Sequence, residues 1–121
     1  MTTAASRQAL GAYGEAVALR HLLHAGLELV ESNWRCAEGE IDLVLRDGEV
    51  LVVCEVKTRS STGAGTPHEA ITAVKLDRLR RLAEAWQVER GVRAREVRLD
   101  LVAVLRPRRG AAVVDHVRGL A

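Results

Sequence analysis

The sequence predicts an α/β protein in which helices flank a mixed β-sheet, with elements in the order αβββαββ. The prediction rests on two helical segments with apolar stripes, two apolar runs around Asp47-Gly48, and strand-like segments before and after the second helix. A tight turn joins antiparallel strands, whereas a strand–helix–strand crossover favours parallel pairing. Both connections in one chain predict a mixed sheet with helices packed on it.

The first helix is predicted from about Arg7 to His24, with Gly26 as its C-terminal cap. Glu15 falls inside its apolar stripe on a helical wheel, where an ionised carboxylate is costly unless it is paired or binds a metal. A Glu at the margin of the stripe, paired with an arginine, would explain the position as well. The stripe comprises Ala12, Ala16, Leu19, Leu22 and Leu23.

Three strands should follow, the first from Leu27 to Arg35. The second and third are predicted to form a hairpin, because Asp47-Gly48 between apolar runs is a strong signal for a two-residue loop. The register is then obtained by counting outward from the loop. It opposes Arg46 to Glu49, Asp42 to Val53 and Glu40 to Glu55.

Side-chain alternation divides this hairpin into two faces. The first carries Glu40, Asp42, Val44, Leu51, Val53, Glu55 and Lys57, and the second carries Ile41, Leu43, Leu45, Val50, Val52, Cys54 and Val56. The second face is wholly apolar and should be core. On the first, Asp42 and Glu55 are diagonal neighbours roughly 7 Å apart at the backbone, so both can reach one ion. A three-residue loop would move Asp42 to the opposite face.

The ionisable residues of the first face also have an ordinary explanation. An antiparallel sheet often has one solvated face, on which acids and lysines are simply polar positions with weak pairing. Against this, Glu40 opposite Glu55 is a like-charge pair, and the apolar residues of the same face do not suit open solvent. A partly covered carboxylate cluster that holds a divalent cation fits better.

The second helix is predicted from Thr66-Pro67-His68-Glu69, an N-cap with a first-turn proline and a capping-box Glu, to about Arg90 before Gly91. The Ser/Gly-rich stretch from Thr58 to Thr66 is either a loop that moves over a substrate or a plain connection. Lys75 lies within the apolar stripe and either snorkels to its edge or reaches a phosphate or carboxylate on the sheet. The stripe comprises Ile71, Val74, Leu79, Leu82, Ala83 and Trp86.

The last two elements are predicted strands. Glu96 to Leu105 forms the fourth, with Asp100 among apolar neighbours, and Ala112 to Val117 forms a short fifth. The length of 121 residues and the 48% hydrophobic content predict one domain over 1–121, with a core over about 7–105.

Composition sets further expectations. Met1 to Arg7 has no signal-peptide pattern and no apolar run reaches membrane-spanning length, so a soluble cytoplasmic protein with no membrane partner is expected. Cys36 and Cys54 are too few for a disulfide scaffold and are predicted to be buried, reduced thiols.

The net charge of +2 is too small to indicate nucleic-acid binding by itself. Arginines concentrate in the C-terminal half, where they either contact phosphates or form solvated surface. Of eighteen basic residues sixteen are arginines, and the two lysines are Lys57 and Lys75. A lysine amine changes its pKa readily near a metal or on burial, which is a modest reason to place both near a reactive site.

With Asp42 on the second strand and Glu55-Val56-Lys57 on the third, the chain resembles the PD-(D/E)xK nuclease superfamily, which has the restriction-endonuclease-like fold. Within it the chain is most similar to the YraN family of small bacterial proteins. Ile41 replaces the proline that names the superfamily, and Cys54 stands where an aromatic or aliphatic residue is usual; neither change removes a ligand. The similar motifs are Gly11-Ala12-Tyr13-Gly14-Glu15, Asn33-Trp34-Arg35, Gly39-Glu40-Ile41-Asp42-Leu43, Glu55-Val56-Lys57-Thr58-Arg59, Lys75 and Arg98-Leu99-Asp100.

The resemblance implies a metal-dependent nuclease that hydrolyses phosphodiester bonds of DNA, including structured or branched DNA in repair or recombination. Asp42 and Glu55 would be metal ligands together with the backbone carbonyl of Val56, and Glu15 would be a further ligand. The implied ion is magnesium, for which manganese should substitute. Lys57 would orient or activate water. Candidates to contact the substrate or to support the ligands are Glu40, Arg59 and Lys75.

Two functions without turnover remain open. A nucleic-acid-binding or assembly module with this fold would depend on arginine–phosphate contacts, because an aromatic content of 2% offers little for base stacking. A partner protein that binds no nucleic acid would use the carboxylates only as a structural ion site. For the nuclease, cutting both DNA strands with one site per 13.2-kDa chain would favour a homodimer.

Overall fold

A computed structural model describes residues 3–60 and 71–120 of the chain. Its five strands form one sheet in the order β1-β2-β3-β4-β5. Pairing is parallel between β3 and β4 and antiparallel between the other neighbours. The elements are α1 (Ala4–His24), β1 (Glu28–Cys36), β2 (Gly39–Asp47), β3 (Val50–Arg59), α2 (Ala73–Arg90), β4 (Glu96–Leu105) and β5 (Val113–Val117). The predicted α/β class, mixed sheet and αβββαββ order are therefore confirmed.

The two helices cover opposite faces of the sheet, so both faces of the β2–β3 hairpin are buried. The α1 side is formed by Ala18, Leu22, Leu27, Leu43, Leu45, Val52, Cys54, Val102 and Val104. The α2 side is formed by Trp34, Ile41, Val44, Leu51, Val53, Leu79, Leu82, Ala83, Trp86 and Leu99. The acids of β2 and β3 therefore do not lie on an open, solvated face of the hairpin, which was the ordinary explanation for them.

Helix α1 begins three residues before the predicted start, because Thr3 caps it. The Thr3 hydroxyl accepts a hydrogen bond from the Ser6 N–H, and the Ser6 hydroxyl accepts one from the Thr3 N–H. This reciprocal pair is a capping box built with serine in place of the usual Glu or Gln. The start at Arg7 was therefore wrong.

The buried stripe of α1 also differs from the predicted one. Its centre is Gly14, followed by Ala18 and Leu22, whereas the predicted members Ala12, Ala16 and Leu23 are exposed. The cause is a close approach of the helix to β3: a Cβ on Gly14 would lie 1.7 Å from Thr58 Oγ1. A hydrophobic pattern cannot identify a glycine as the point of tightest packing, so the predicted stripe was rotated about the helix.

The β2–β3 hairpin has a two-residue loop, but the loop is Gly48-Glu49 rather than Asp47-Gly48. Asp47 pairs with Val50, and Arg46 pairs with Leu51. Gly48 has φ +61° and Glu49 has a negative φ, the pattern of a type II′ turn, which places glycine first. The predicted oppositions of Arg46 to Glu49, Asp42 to Val53 and Glu40 to Glu55 were wrong by two residues. Asp42 and Glu40 lie beyond the last pair of this ladder, Leu43–Cys54, so they oppose no residue of β3.

Strands β2 and β3 separate beyond the Leu43–Cys54 pair. From there β2 continues beside β1, where Glu40 pairs with Arg35, and β3 continues beside β4. The alternation of β2 is broken at this point. Ile41 therefore packs on the α2 side rather than with Leu43 and Leu45 as predicted.

Helix α2 begins at Ala73 with Thr72 as its N-cap, since the Thr72 hydroxyl accepts from the Lys75 N–H. The predicted N-cap at Thr66 and the following Pro67-His68-Glu69 lie outside the described residues, as does most of the predicted loop from Thr58 to Thr66. Ile71 and Thr72 are not helical, so a continuous helix from Thr66 was wrong. The predicted end at Arg90 before Gly91, a left-handed cap, is confirmed.

The stripe of α2 was predicted correctly at its centre and wrongly at its start. Leu79, Leu82, Ala83 and Trp86 are buried, whereas Val74 is 78% exposed. The C-terminal half of α2 is attached to β1, because Trp86 Nε1 and the Arg90 guanidinium both donate to the Glu31 carboxylate. Val74 lies in the first turn of α2, far from these contacts with β1.

Asp100 is the buried charged residue of the described core, at 0% exposure. Arg98 donates to both of its oxygens at 2.9 and 3.0 Å, and the Gly119 N–H donates at 3.0 Å. His116 Nε2 lies 2.8 Å from Oδ2. These contacts connect β4, β5 and the C-terminal residues, and they leave Asp100 saturated with partners.

Three further expectations concern the thiols and the membrane. Cys54 is buried, which raises the pKa of its thiol well above the ordinary value. Cys36 is only half-buried, so its predicted burial was partly wrong; both cysteines are free thiols. In the described parts of the chain, neither helix is long and apolar enough to cross a membrane.

Candidate metal centre

The site lies where β2 and β3 separate. Asp42 occupies this opening, and its Oδ2 accepts a hydrogen bond of 2.8 Å from the Val56 N–H on β3. The side chain thus replaces a backbone partner that the separated strand no longer supplies. This hydrogen bond connects the second and third strands, and it holds the Asp42 carboxylate in the opening between them.

Three carboxylates converge at the opening. Glu15 reaches it from α1, and Glu40 and Asp42 reach it from β2, with one oxygen of each within 4.8 Å of the other two. All three residues are half-buried. Carboxylate oxygens at such spacing are the donors preferred by hard divalent cations such as Mg²⁺ and Mn²⁺.

The electrostatics of the cluster favour a cation. The pKa of Asp42 is raised from an ordinary 3.8 to about 7, mainly because the carboxyl group is buried. The hydrogen bond from the Val56 N–H lowers this pKa, and the charges of Glu15, Glu55 and Glu40 raise it. Burial and the charge of Glu40 also raise the pKa of Glu15. The residues therefore fit a divalent ion, because such an ion would neutralise the negative charge that converges here.

Glu55 and Lys57 lie beside this cluster as a contacting pair. Lys57 Nζ is 3.5 Å from Glu55 Oε1, and the lysine side chain is 37% exposed. Glu55 shares a cavity of about 10 Å³ with Glu40 and Asp42, which is room for about one water molecule. The cavity is closed on the α2 side by Lys75, Arg78, Leu79 and Leu82.

The structure thus brings together Glu15, Glu40, Asp42, Glu55, Lys57 and Lys75. Glu40, whose role the sequence left open, belongs to the group of converging carboxylates, while Glu55 contacts Lys57. The N–H of Val56 contacts the site by donating to Asp42. That the Val56 carbonyl is a metal ligand remains a prediction. Arg59 ends β3 as an exposed residue, and its carbonyl accepts from the Arg106 N–H.

Sequence reasoning assigned no role to three residues at this site. Arg78 lines the cavity, Arg35 Nε lies 3.5 Å from Glu40 Oε2, and the Asn33 amide faces two of the carboxylates. Asn33 and Arg35 belong to the motif Asn33-Trp34-Arg35, for which the resemblance implied no role. One helical turn separates Arg78 from Lys75, and that spacing was the available signal for it.

The fold and the acidic cluster define an α/β protein with a candidate centre for a divalent metal ion. The chain belongs to the uncharacterised protein family UPF0102, the YraN family, whose profile matches residues 14–104. A family member from a Nocardioides species is 67% identical over 97% of this chain and 94% of its own length. The protein from Beutenbergia cavernae is 62% identical over 95% of this chain and 98% of its own length. The protein from Streptomyces griseus is 56% identical over the same shares, 95% of this chain and 98% of its own length.

Proposed function

We propose that this protein is a metal-dependent nuclease that hydrolyses phosphodiester bonds of DNA. The observation on which this rests is the convergence of Glu15, Glu40 and Asp42 beside the Glu55–Lys57 pair. The arrangement lies on the second and third strands of a mixed sheet, as in the PD-(D/E)xK pattern that the sequence resembles. Half-buried carboxylates, a lysine and an opening between strands are elements that suit such chemistry.

Glu15, Glu40 and Asp42 would hold the cation, with Glu55 available at the wall of the same cavity. Mg²⁺ is the ion we assign, with Mn²⁺ as a substitute, because all the donors are hard oxygens. When bound, the ion would polarise the scissile phosphate and lower the pKa of a water molecule. Without it, a phosphate would be repelled by the cluster.

Lys57 is the residue we assign to the attacking water. Its amine contacts the Glu55 carboxylate at 3.5 Å, beside the cluster, and is partly exposed to the solvent. An ammonium group has three donors and no acceptor, which suits it to orient a water oxygen or a phosphate oxygen next to the carboxylates. Glu55 would fix the position of the amine through this contact.

The surroundings favour a substrate that is held by its phosphates. The cavity of about 10 Å³ cannot admit a nucleotide, so the scissile group must lie at its mouth. Lys75 and Arg78 lie on one side, Arg35 contacts Glu40, and the exposed Arg59 follows Lys57 on β3. Such cations would neutralise DNA phosphates next to the metal ligands.

The aromatic residues argue for base-paired DNA rather than single strands. Both tryptophans are buried, and their indole nitrogens donate to Glu89 and Glu31. The third aromatic residue of the chain, besides the two tryptophans, is Tyr13. The Arg106 guanidinium carbon lies over its ring, 5.6 Å from the ring centroid. With no exposed tryptophan to stack bases, contacts would go to the backbone of a duplex or a junction.

The test is cleavage of linear, nicked, flapped and four-way-junction DNA with Mg²⁺ or Mn²⁺. Wild-type protein should cut at least one of these substrates, and Glu55→Ala and Lys57→Ala should lose cleavage. Glu28→Gln, which neutralises an exposed acid paired with Arg46, is the matched control and should cut normally. Intact substrates throughout, or equal cutting by Lys57→Ala, would reject the nuclease. DNA binding that persists without metal and in Lys57→Ala would instead indicate a binding module.

A further inference from the structure

Asn33 has an unusual backbone at the edge of the acidic cluster. Its φ is +54°, and within residues 3–60 and 71–120 it is the non-glycine residue with a positive φ. It lies on β1 between Ser32, which pairs with Leu43, and Trp34, which pairs with Ile41, so it is level with Asp42. Asparagine tolerates the left-handed conformation better than most residues, and such outliers occur at functional sites.

The side chain of Asn33 connects two of the three carboxylates. Its amide nitrogen donates to Glu40 Oε1 at 3.1 Å and to Glu15 Oε1 and Oε2 at 3.2 and 3.1 Å, in the amide orientation that the hydrogen-bond network requires. Glu15 belongs to α1 and Glu40 to β2. One neutral group thus joins acids from two separate elements.

A neutral donor is well suited to this position. Carboxylates within 4.8 Å repel each other, and a hydrogen bond to each reduces that repulsion without supplying a charge that would compete with a cation. Arg35 does carry a charge, but its side chain is 78% exposed and lies 3.5 Å from Glu40. Groups that donate to metal ligands orient them, and their loss typically weakens metal binding by about 10- to 100-fold.

We propose that Asn33 is a positioning residue of the metal centre: its amide holds Glu15 and Glu40 together as one ligand set with Asp42. The inference rests on the proposed function only in that the cluster binds a divalent ion, and it does not depend on DNA cleavage. Because Asn33 is itself exposed, water competes for its hydrogen bonds. Removing its amide should therefore weaken metal binding by about 10-fold, the lower end of the usual range.

The test is a Mn²⁺ titration of the full chain, followed by electron paramagnetic resonance in the absence of DNA. Asn33→Gly keeps the backbone relaxed at φ +54° and removes the amide, and it should weaken Mn²⁺ binding about 10-fold. Ser32→Gly places a glycine at the neighbouring exposed position and should bind as the wild type does. Asn33→Ala, strained at this φ, should have a lower melting temperature in EDTA than Asn33→Gly but the same loss of affinity.

A double-mutant cycle separates positioning from a structural role. If Asn33 acts through Glu15, Asn33→Gly should have a smaller effect on affinity in a Glu15→Ala background than in the wild type. Equal fold-losses in the two backgrounds, or unchanged affinity in Asn33→Gly, would overturn the inference. Mn²⁺ binding without DNA cleavage would reject the nuclease alone, and a wild-type protein that binds no Mn²⁺ would overturn both proposals.

Discussion

The Val56 backbone N–H donates to Asp42 Oδ2 across the point where the second and third strands separate. This bond holds the Asp42 carboxylate between two strands, in a half-buried position next to Glu15, Glu40 and Glu55. Because the pKa of Asp42 is raised to about 7, ionisation of this carboxyl group destabilises the metal-free protein. The site therefore opposes folding stability until a cation neutralises it.

Replacing Asp42 with Asn should stabilise the metal-free protein above about pH 7. Since the folded-state pKa is raised, the stabilisation from protonated Asp42 is complete below pH 3.8 and is lost as the pH rises through about 7. Asp42→Asn should not show that loss and should gain about 2 kcal/mol in unfolding free energy near pH 8, measured by urea denaturation in EDTA. Asp77→Asn, an exposed acid, is the control; equal pH profiles for wild type and Asp42→Asn would contradict the prediction.

Adding a methyl group to Gly14 should separate α1 from the sheet. The Cβ would lie 1.7 Å from Thr58 Oγ1, so Gly14→Ala should destabilise the protein by about 1–3 kcal/mol despite the better helix propensity of alanine. Gly11→Ala has nothing within 4 Å of the added Cβ and should be neutral or stabilising by up to about 1 kcal/mol. Thermal unfolding of both variants, and partial rescue by Thr58→Ala, would check the contact. A Gly14→Ala protein as stable as Gly11→Ala would refute it.

Breaking the Asp100–Arg98 pair should be among the most destabilising changes in the chain. Asp100 is fully buried, and Arg98→Ala removes two of its donors, so a loss of about 3–5 kcal/mol is expected in urea denaturation. Arg81→Ala, which removes an exposed contact with Asp77, should cost about 0–1 kcal/mol. If the two variants are equally stable, the contacts of Arg98 do not stabilise the buried Asp100 carboxylate.

The same buried carboxylate should make the protein sensitive to acid. Burial raises the pKa of Asp100, but His116, Arg98 and the Gly119 N–H together lower it below the ordinary 3.8. Its contribution to stability is therefore present above pH 3.8 and is lost as the pH falls through the lowered folded-state pKa. Asp100→Asn should unfold at lower urea concentration near neutral pH and lose less stability on acidification. A wild-type-like acid profile in Asp100→Asn would contradict this assignment.

The cations on α2 should contribute to DNA binding without sequence preference. Lys75→Ala and Arg78→Ala each remove one cation from the wall of the carboxylate cavity. Each should weaken DNA binding similarly for all sequences and reduce the slope of log K against log salt by about 1. Arg90→Ala, at the other end of α2 in contact with Glu31, is the matched control. Fluorescence anisotropy over a salt series is the measurement, and unchanged slopes in Lys75→Ala and Arg78→Ala would exclude these residues from the interface.

Periodicity and turn chemistry predicted the fold well. The end of α2 at Gly91, β4 from Glu96 to Leu105 and its parallel pairing with β3 were all correct, because they follow from local capping and from the crossover rule. Asp42 and Glu55 line one cavity as expected, although the predicted register was wrong by two residues and the ladder ends before it reaches Asp42.

What the sequence could not provide is long-range geometry. Gly14 at Thr58 rotates α1 relative to the predicted stripe, and no single-chain pattern indicates that contact. The separation of β2 from β3 moves Ile41 to the other side of the sheet and brings Glu40 to Glu15. Asn33 has a left-handed backbone that neither propensity nor periodicity predicts, so its contacts with Glu15 and Glu40 could not be foreseen.

The most direct test of the metal centre is a Mn²⁺ titration of the wild-type protein and Asp42→Asn, monitored by electron paramagnetic resonance. Glu15, Glu40 and Asp42 should together bind a single ion in the wild type, and Asp42→Asn should lose that binding while remaining folded in EDTA. Equal Mn²⁺ binding by the two proteins, or none by either, would contradict a metal centre at the opening between β2 and β3.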